Sequence, residues 1–156
     1  MKKIQDWLDE YAVSHQHPDN KKIHWICVPV IFWSISALLW SISLPIPSLW
    51  DLPMNVGVLS LFFISVYYFF LSFSLAIGMT LFTSFCLLLN SYLDHSFGVH
   101  YLRILAVLLF SLAWIGQFYG HKIEGKKPSF LKDIQFLMIG PAWLMSFIYK
   151  RLNIPL

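Results

Sequence analysis

Three histidines, His15, His24 and His121, stand at the edges of long apolar runs in a chain that has only six histidines. A neutral imidazole offers one lone pair to a divalent ion. Three of them leaving open positions suit iron(II) or zinc, and two joined by a carboxylate form the facial triad of non-haem iron. Glu124 would supply that carboxylate. His15 and His24 are nine positions apart, so on one unbroken helix they would point to opposite faces. The segment His15-Gln16-His17-Pro18-Asp19-Asn20 lies between them, and a turn at Pro18 can fold His15 back toward His24.

His121 follows Gly116 and Gly120, small residues that let a second helix approach closely in a membrane. Gln117 lies one turn before it and Glu124 nearly one turn after, so a continuous helix puts all three on one face. That arrangement provides the acceptors that orient a ligating ring through its other nitrogen. His17, beside Pro18, reads as a solvated turn residue, and His95 and His100 fall on the opposite side of the membrane by the count below. The competing reading of the three histidines is polar capping or headgroup contact at the membrane interface.

The elements that must position these residues follow from the apolar pattern. Ile4, Trp7, Leu8 and Tyr11 recur at helical spacing with charges between them, which predicts an N-terminal amphipathic helix. Asp19 or Asn20 is expected to cap the next helix. Residues 25 to 44 form a first span, and residues 56 to 90 carry no charged side chain and are long enough for two spans, with a turn near Ser72 to Gly78. A fourth span covers about 104 to 119. A last apolar segment, 134 to 149, is interrupted by Gly140-Pro141 and reads as a re-entrant or fifth helix. The expected fold is all-α: a polytopic membrane helical bundle of four spans, plus the C-terminal element and the amphipathic helix, in a single integral membrane domain over 1–156.

Composition agrees: 58% of residues are hydrophobic, 12% are charged and the mean hydropathy is +0.64, against about 25% charged in soluble domains. The net charge of +3 comes without a basic stripe interleaved with aromatics, which excludes nucleic acid as a partner. Lys2, Lys3, Lys21 and Lys22 precede the first span, and Lys122, Lys126 and Lys127 follow the fourth. The positive-inside rule puts both groups, and with them the three histidines, on the cytoplasmic side. The loop carrying Asp51 and the loop carrying Asp94 lie opposite. The N-terminus lacks the apolar core of a cleavable signal. Cys27 and Cys86 sit in apolar runs and read as reduced packing residues.

Two patterns, Tyr11, His15, Pro18, Asn20, Ile23, His24, Val28-Pro29 and Trp114, Gln117, Phe118, Gly120-His121, Glu124, Pro128, make the chain resemble the 2-hydroxy fatty acid dioxygenase family. These are small membrane proteins of fatty acid α-oxidation, typified by a fungal endoplasmic-reticulum enzyme of phytosphingosine degradation. The resemblance covers nearly the whole chain, departing at His15-Gln16-His17, where the fungal pattern has adjacent histidines. It implies an Fe2+-dependent oxidation of a 2-hydroxy fatty acid by O2 to the acid one carbon shorter, with CO2 and water. The metal ligands it implies are His15, His24 and His121. Asn20, Gln117 and Glu124 would orient them or the substrate, and Lys122 could assist approach of the carboxylate. Its partners are the fatty acid, O2 and membrane lipid, with a homodimer compatible. Its location is a bacterial inner membrane or the endoplasmic reticulum.

Other classes fit less well. Membrane di-iron hydroxylases need repeated histidine boxes with about eight histidines, more than the chain contains. A haem carrier would place paired histidines inside facing helices, and a transporter would carry a charged residue within a span. A non-catalytic membrane scaffold, or a protein binding another metal, remains the alternative.

Overall fold

The computed structural model describes residues 3–48, 53–127 and 135–156. Lys2, the Asp51 loop, Pro128 and Ile134 lie outside them. Among the described residues six helices follow one another: α1 (Ile4–Ala12), α2 (Pro18–Trp40), α3 (Val56–Leu71), α4 (Phe73–Phe97), α5 (Val99–Glu124) and α6 (Phe136–Arg151). Among the described residues the only extended pairing is an isolated bridge between Ser43 and Asn55. Helices α2, α4 and α5 are long and apolar enough to cross a membrane, whereas α3 is apolar but shorter. Large apolar side chains such as Phe70, Leu88 and Ile104 point outward, as expected of a surface solvated by lipid rather than water.

The boundaries have local causes. Pro18 opens α2 rather than merely preceding it: it occupies the first helical position, where its missing N–H is no loss, and His17 is the cap, accepting from the Asp19 N–H at 3.2 Å. The expected cap at Asp19 or Asn20 is therefore corrected to His17, and His24 falls in the second turn. The uncharged run 56–90 breaks at Ser72, whose extended backbone ends α3 and whose hydroxyl caps α4 by accepting from Leu75 N–H. Gly98, at φ +83, makes the reversal from α4 into α5, a conformation glycine adopts without steric cost. Pro141 lies within α6, which continues through it.

The pairing of α2 with α5 positions the site. A Cβ on Gly116 would lie 2.7 Å from Cys27 Sγ, and one on Gly120 would collide with Asn20 Oδ1. The two glycines thus let α5 lie directly on the first turns of α2, the small-residue mode of membrane helix packing. Helix α1 folds back onto α6 through Trp7 against Phe136 and Tyr11 against Trp143, with ring centroids 5.7 and 5.4 Å apart. Helix α6 is fastened to α4 by Tyr149, whose hydroxyl donates to Ser74 O at 2.7 Å and accepts from Gly78 N–H at 3.1 Å.

Candidate metal centre

His15 sits in the loop between α1 and α2, His24 in α2 and His121 near the end of α5. All three are buried, and one nitrogen of each lies within 4.8 Å of the others. Their rings meet edge to face, with centroids 4.3 Å apart for His15 and His24, 4.9 Å for His15 and His121, and 5.0 Å for His24 and His121. The reversal before Pro18 brings His15 onto His24, as the turn was expected to do.

The tautomers follow from the hydrogen bonds. His15 Nδ1 lies 2.6 Å from Tyr11 O, and His24 Nδ1 lies 2.9 Å from Asn20 O. A carbonyl only accepts, so each Nδ1 must carry the proton. In the neutral rings both Nε2 atoms are then lone pairs, and these two atoms face one another at 3.0 Å. Two buried lone pairs at that distance repel unless a cation lies between or beside them. A proton is a poor candidate: burial, and then the neighbouring His24, push the His15 pKa from 6.5 down to about 3. His121 adds a buried Nδ1 with no hydrogen-bond partner among the described residues. The three rings could hold a divalent metal, and the backbone acceptors behind His15 and His24 are of the kind that orient ligating histidines.

The remaining predicted residues divide into two groups. Glu124 clasps the loop: its carboxylate accepts from the backbone N–H of Gln16 and of His17, both at 2.8 Å, and from Asn20 Nδ2 at 3.1 Å. Asn20 also donates to Ser14 O at 3.3 Å, and Lys126 Nζ donates to Val13 O at 2.7 Å. The end of α5 thus holds the segment that carries His15. Gln117 instead lines a cavity next to His121 and, though 7% exposed, has no hydrogen-bond partner among the described residues. Lys122 lies on the exposed surface outside that cavity. His17 is occupied as a helix cap. His95 and His100 are exposed at the other end of the bundle, about 30 Å from His121 along α5 at 1.5 Å per residue.

The cavity is narrow and partly open, with about 60 Å³ of room for water-sized molecules. It starts at Tyr11, Gln117 and His121 and runs between α2, α3 and α6. Its α2 wall is Val28, Ile31, Phe32, Ile35, Ser36 and Leu39, one helical stripe that begins a turn after His24. Residue order does not mark it, because in a uniformly apolar helix the lipid-facing and cavity-facing stripes have the same composition. Tyr11 and Trp143 were also not predicted as site residues. Tyr11 stacks on His15 with centroids 4.1 Å apart and planes 11° from parallel, and Trp143 lies 5.3 Å from the same ring. The available signal was the placement of Tyr11 one turn before His15.

Residues 1–152 match the family profile described as 2-hydroxy-palmitic acid dioxygenase Mpo1-like. The chain is 31% identical over 153 residues to the 2-hydroxy-palmitic acid dioxygenase MPO1 of Saccharomyces cerevisiae, an alignment that covers 94% of this chain and 80% of that relative. No solved structure matches.

Proposed function

The chain belongs to the 2-hydroxy-palmitic acid dioxygenase Mpo1-like family, and on that premise we propose that it is an iron(II)-dependent dioxygenase acting on 2-hydroxy fatty acids within the membrane. The observation that carries this reading is the pair of facing Nε2 lone pairs of His15 and His24, 3.0 Å apart in a buried site with His121. The overall reaction balances without a further reductant: a 2-hydroxy acid and O2 give the acid one carbon shorter, CO2 and water, and the bond between C1 and C2 breaks. The substrate supplies all the electrons that O2 accepts. Iron(II) held by His15, His24 and His121 would supply activation of O2 beside a bound 2-hydroxy acid.

The chain's own residues set the geometry. Tyr11 O and Asn20 O keep the His15 and His24 rings in the tautomer that turns Nε2 inward. Glu124 and Asn20 act by holding the His15 loop, as positioning residues. Gln117 offers its amide to the polar head of the substrate from the cavity wall. The apolar stripe of α2 takes the acyl tail and keeps bulk water from the reacting carbons. The lysines at this end of the bundle favour a cytoplasmic orientation in a bacterial inner membrane or the endoplasmic reticulum.

The test is protein purified anaerobically in detergent, assayed for iron and then for conversion of 2-hydroxypalmitate and O2 to the C15 acid. The expected result is about one iron per chain and O2-dependent product, both lost in His15→Ala, His24→Ala and His121→Ala. Wild-type protein that neither retains nor takes up iron would overturn the reading and favour a scaffold or another metal.

A further inference from the structure

We infer that the far end of the apolar cavity, at Ser60 and Leu61 of α3 and Leu39 of α2, sets the length of the acyl chain that the protein accepts. The inference rests on the dioxygenase reading and adds to it the residues that choose among substrates. Three observations carry it.

One end of the cavity meets the histidine cluster. Gln117 and His121 lie where it meets the histidine cluster, which fixes the head of a bound acid there and sends its tail along α2. The α2 stripe then ends at Leu39.

The far end is fixed in place. Trp40, the residue after Leu39, is buried, and its indole donates to Asp94 at 2.9 Å. Its backbone is pressed onto α3, where a Cβ on Gly57 would come within 2.7 Å of Trp40 N. The neighbouring Ser36 hydroxyl accepts from the fully buried Asn90 at 3.1 Å. The junction of α2, α3 and α4 is therefore tied at several points, and a longer chain cannot lengthen the cavity by pushing α2 aside.

The dimensions match a definite chain. Val28 to Leu39 spans twelve residues, eleven steps or about 16 Å of helix. A fully extended backbone advances about 1.2 Å per bond, so this stretch holds about thirteen carbons of a straight chain. The carboxyl carbon, C2 and C3 stay at the histidine end, which places the optimum near C16.

The experiment compares wild type with Leu39→Ala, Leu61→Ala and Ser60→Phe. It uses straight-chain 2-hydroxy acids from C10 to C22 and follows kcat/KM with O2. In parallel, the affinity of metal-free protein for unsubstituted fatty acids of the same lengths is read by displacement of a fluorescent fatty acid. The two alanine variants are expected to move the optimum upward by about two carbons and to raise the C20-to-C16 preference by about tenfold, the scale on which apolar pockets discriminate between chain lengths. Ser60→Phe is expected to move it below C16. Turnover with the same length profile in wild type and all three variants would overturn the inference. Affinities that shift with length as described while no acid is turned over would support the ruler and overturn the dioxygenase reading instead.

Discussion

The two ends of the helical bundle carry similar residue types arranged to different effect. At one end, His15, His24 and His121 are buried against each other, and Glu124 accepts two backbone N–H groups and an amide. At the other, His95 and His100 are exposed, and Asp94 accepts an indole N–H from Trp40. Arg103 donates to Ser41 O there at 2.8 Å. Both ends thus use a carboxylate to fasten one helix to another. Among the described residues, only the first gathers imidazole lone pairs that face one another. Such a cluster could hold a metal ion, whereas the contacts of Asp94 and Arg103 at the far end tie helix to helix.

The comparison breaks most sharply at the histidines. His15→Ala, His24→Ala and His121→Ala should each reduce bound iron and O2-dependent turnover to background, while His95→Ala and His100→Ala leave both near wild type, as read by elemental analysis and product formation. Next come the carboxylates. Glu124→Gln retains the size but weakens the acceptors holding Gln16 and His17, and a loss of about 10–100-fold in iron affinity is expected, the usual cost of losing an outer partner. Asp94→Asn should lower stability by about 1 kcal/mol and leave iron affinity unchanged.

The glycines sharpen the contrast further. Gly120→Val places its side chain against Asn20, so a cost of about 1–3 kcal/mol should appear together with weaker iron binding. Gly98→Ala meets no neighbouring atom but must adopt φ +83, so about 1 kcal/mol should appear in thermal unfolding alone.

The smallest effect concerns acid. His15 has a folded pKa of about 3 against 6.5 when free, so the unfolded chain binds the extra proton between those values. Its contribution to stability is intact above pH 6.5 and declines as pH falls toward 3. The melting temperature of metal-free protein should therefore drop across that window, with a shallower slope in His15→Phe. An equal slope in the variant would assign the acid sensitivity elsewhere.

The triad was legible because its histidines stand out against a nearly charge-free background and because Pro18 forces a turn between two of them. The small-residue face of Gly116 and Gly120 was legible for the same kind of reason: it matters through local size and spacing. The cap of α2 was misplaced by two or three residues, since Asp19, Asn20 and Pro18 offer competing signals and proline at the first helical position decides among them. The clasp formed by Glu124 could not be read as such. Its partners are backbone N–H groups more than a hundred residues away, and a backbone donor leaves no trace in residue type. Tyr149 was hidden likewise, because a hydroxyl between Ser74 O and Gly78 N–H depends on how α6 meets α4. The short α3 was seen as a span because apolar content was clear, while its length depended on the break at Ser72.

The ties made by the end of α5 also order events during synthesis. His15 and His24 leave the ribosome early, but His121 and the carboxylate of Glu124 follow about a hundred residues later, which at about 5–20 residues per second is a delay of roughly 5–20 s. Through that interval the nascent chain presents two histidines and an untethered loop, too few donors to hold an ion firmly. On the proposed iron reading, metal capture is thereby deferred until α5 has been made, and a polypeptide truncated before residue 121 would lack the third ligand.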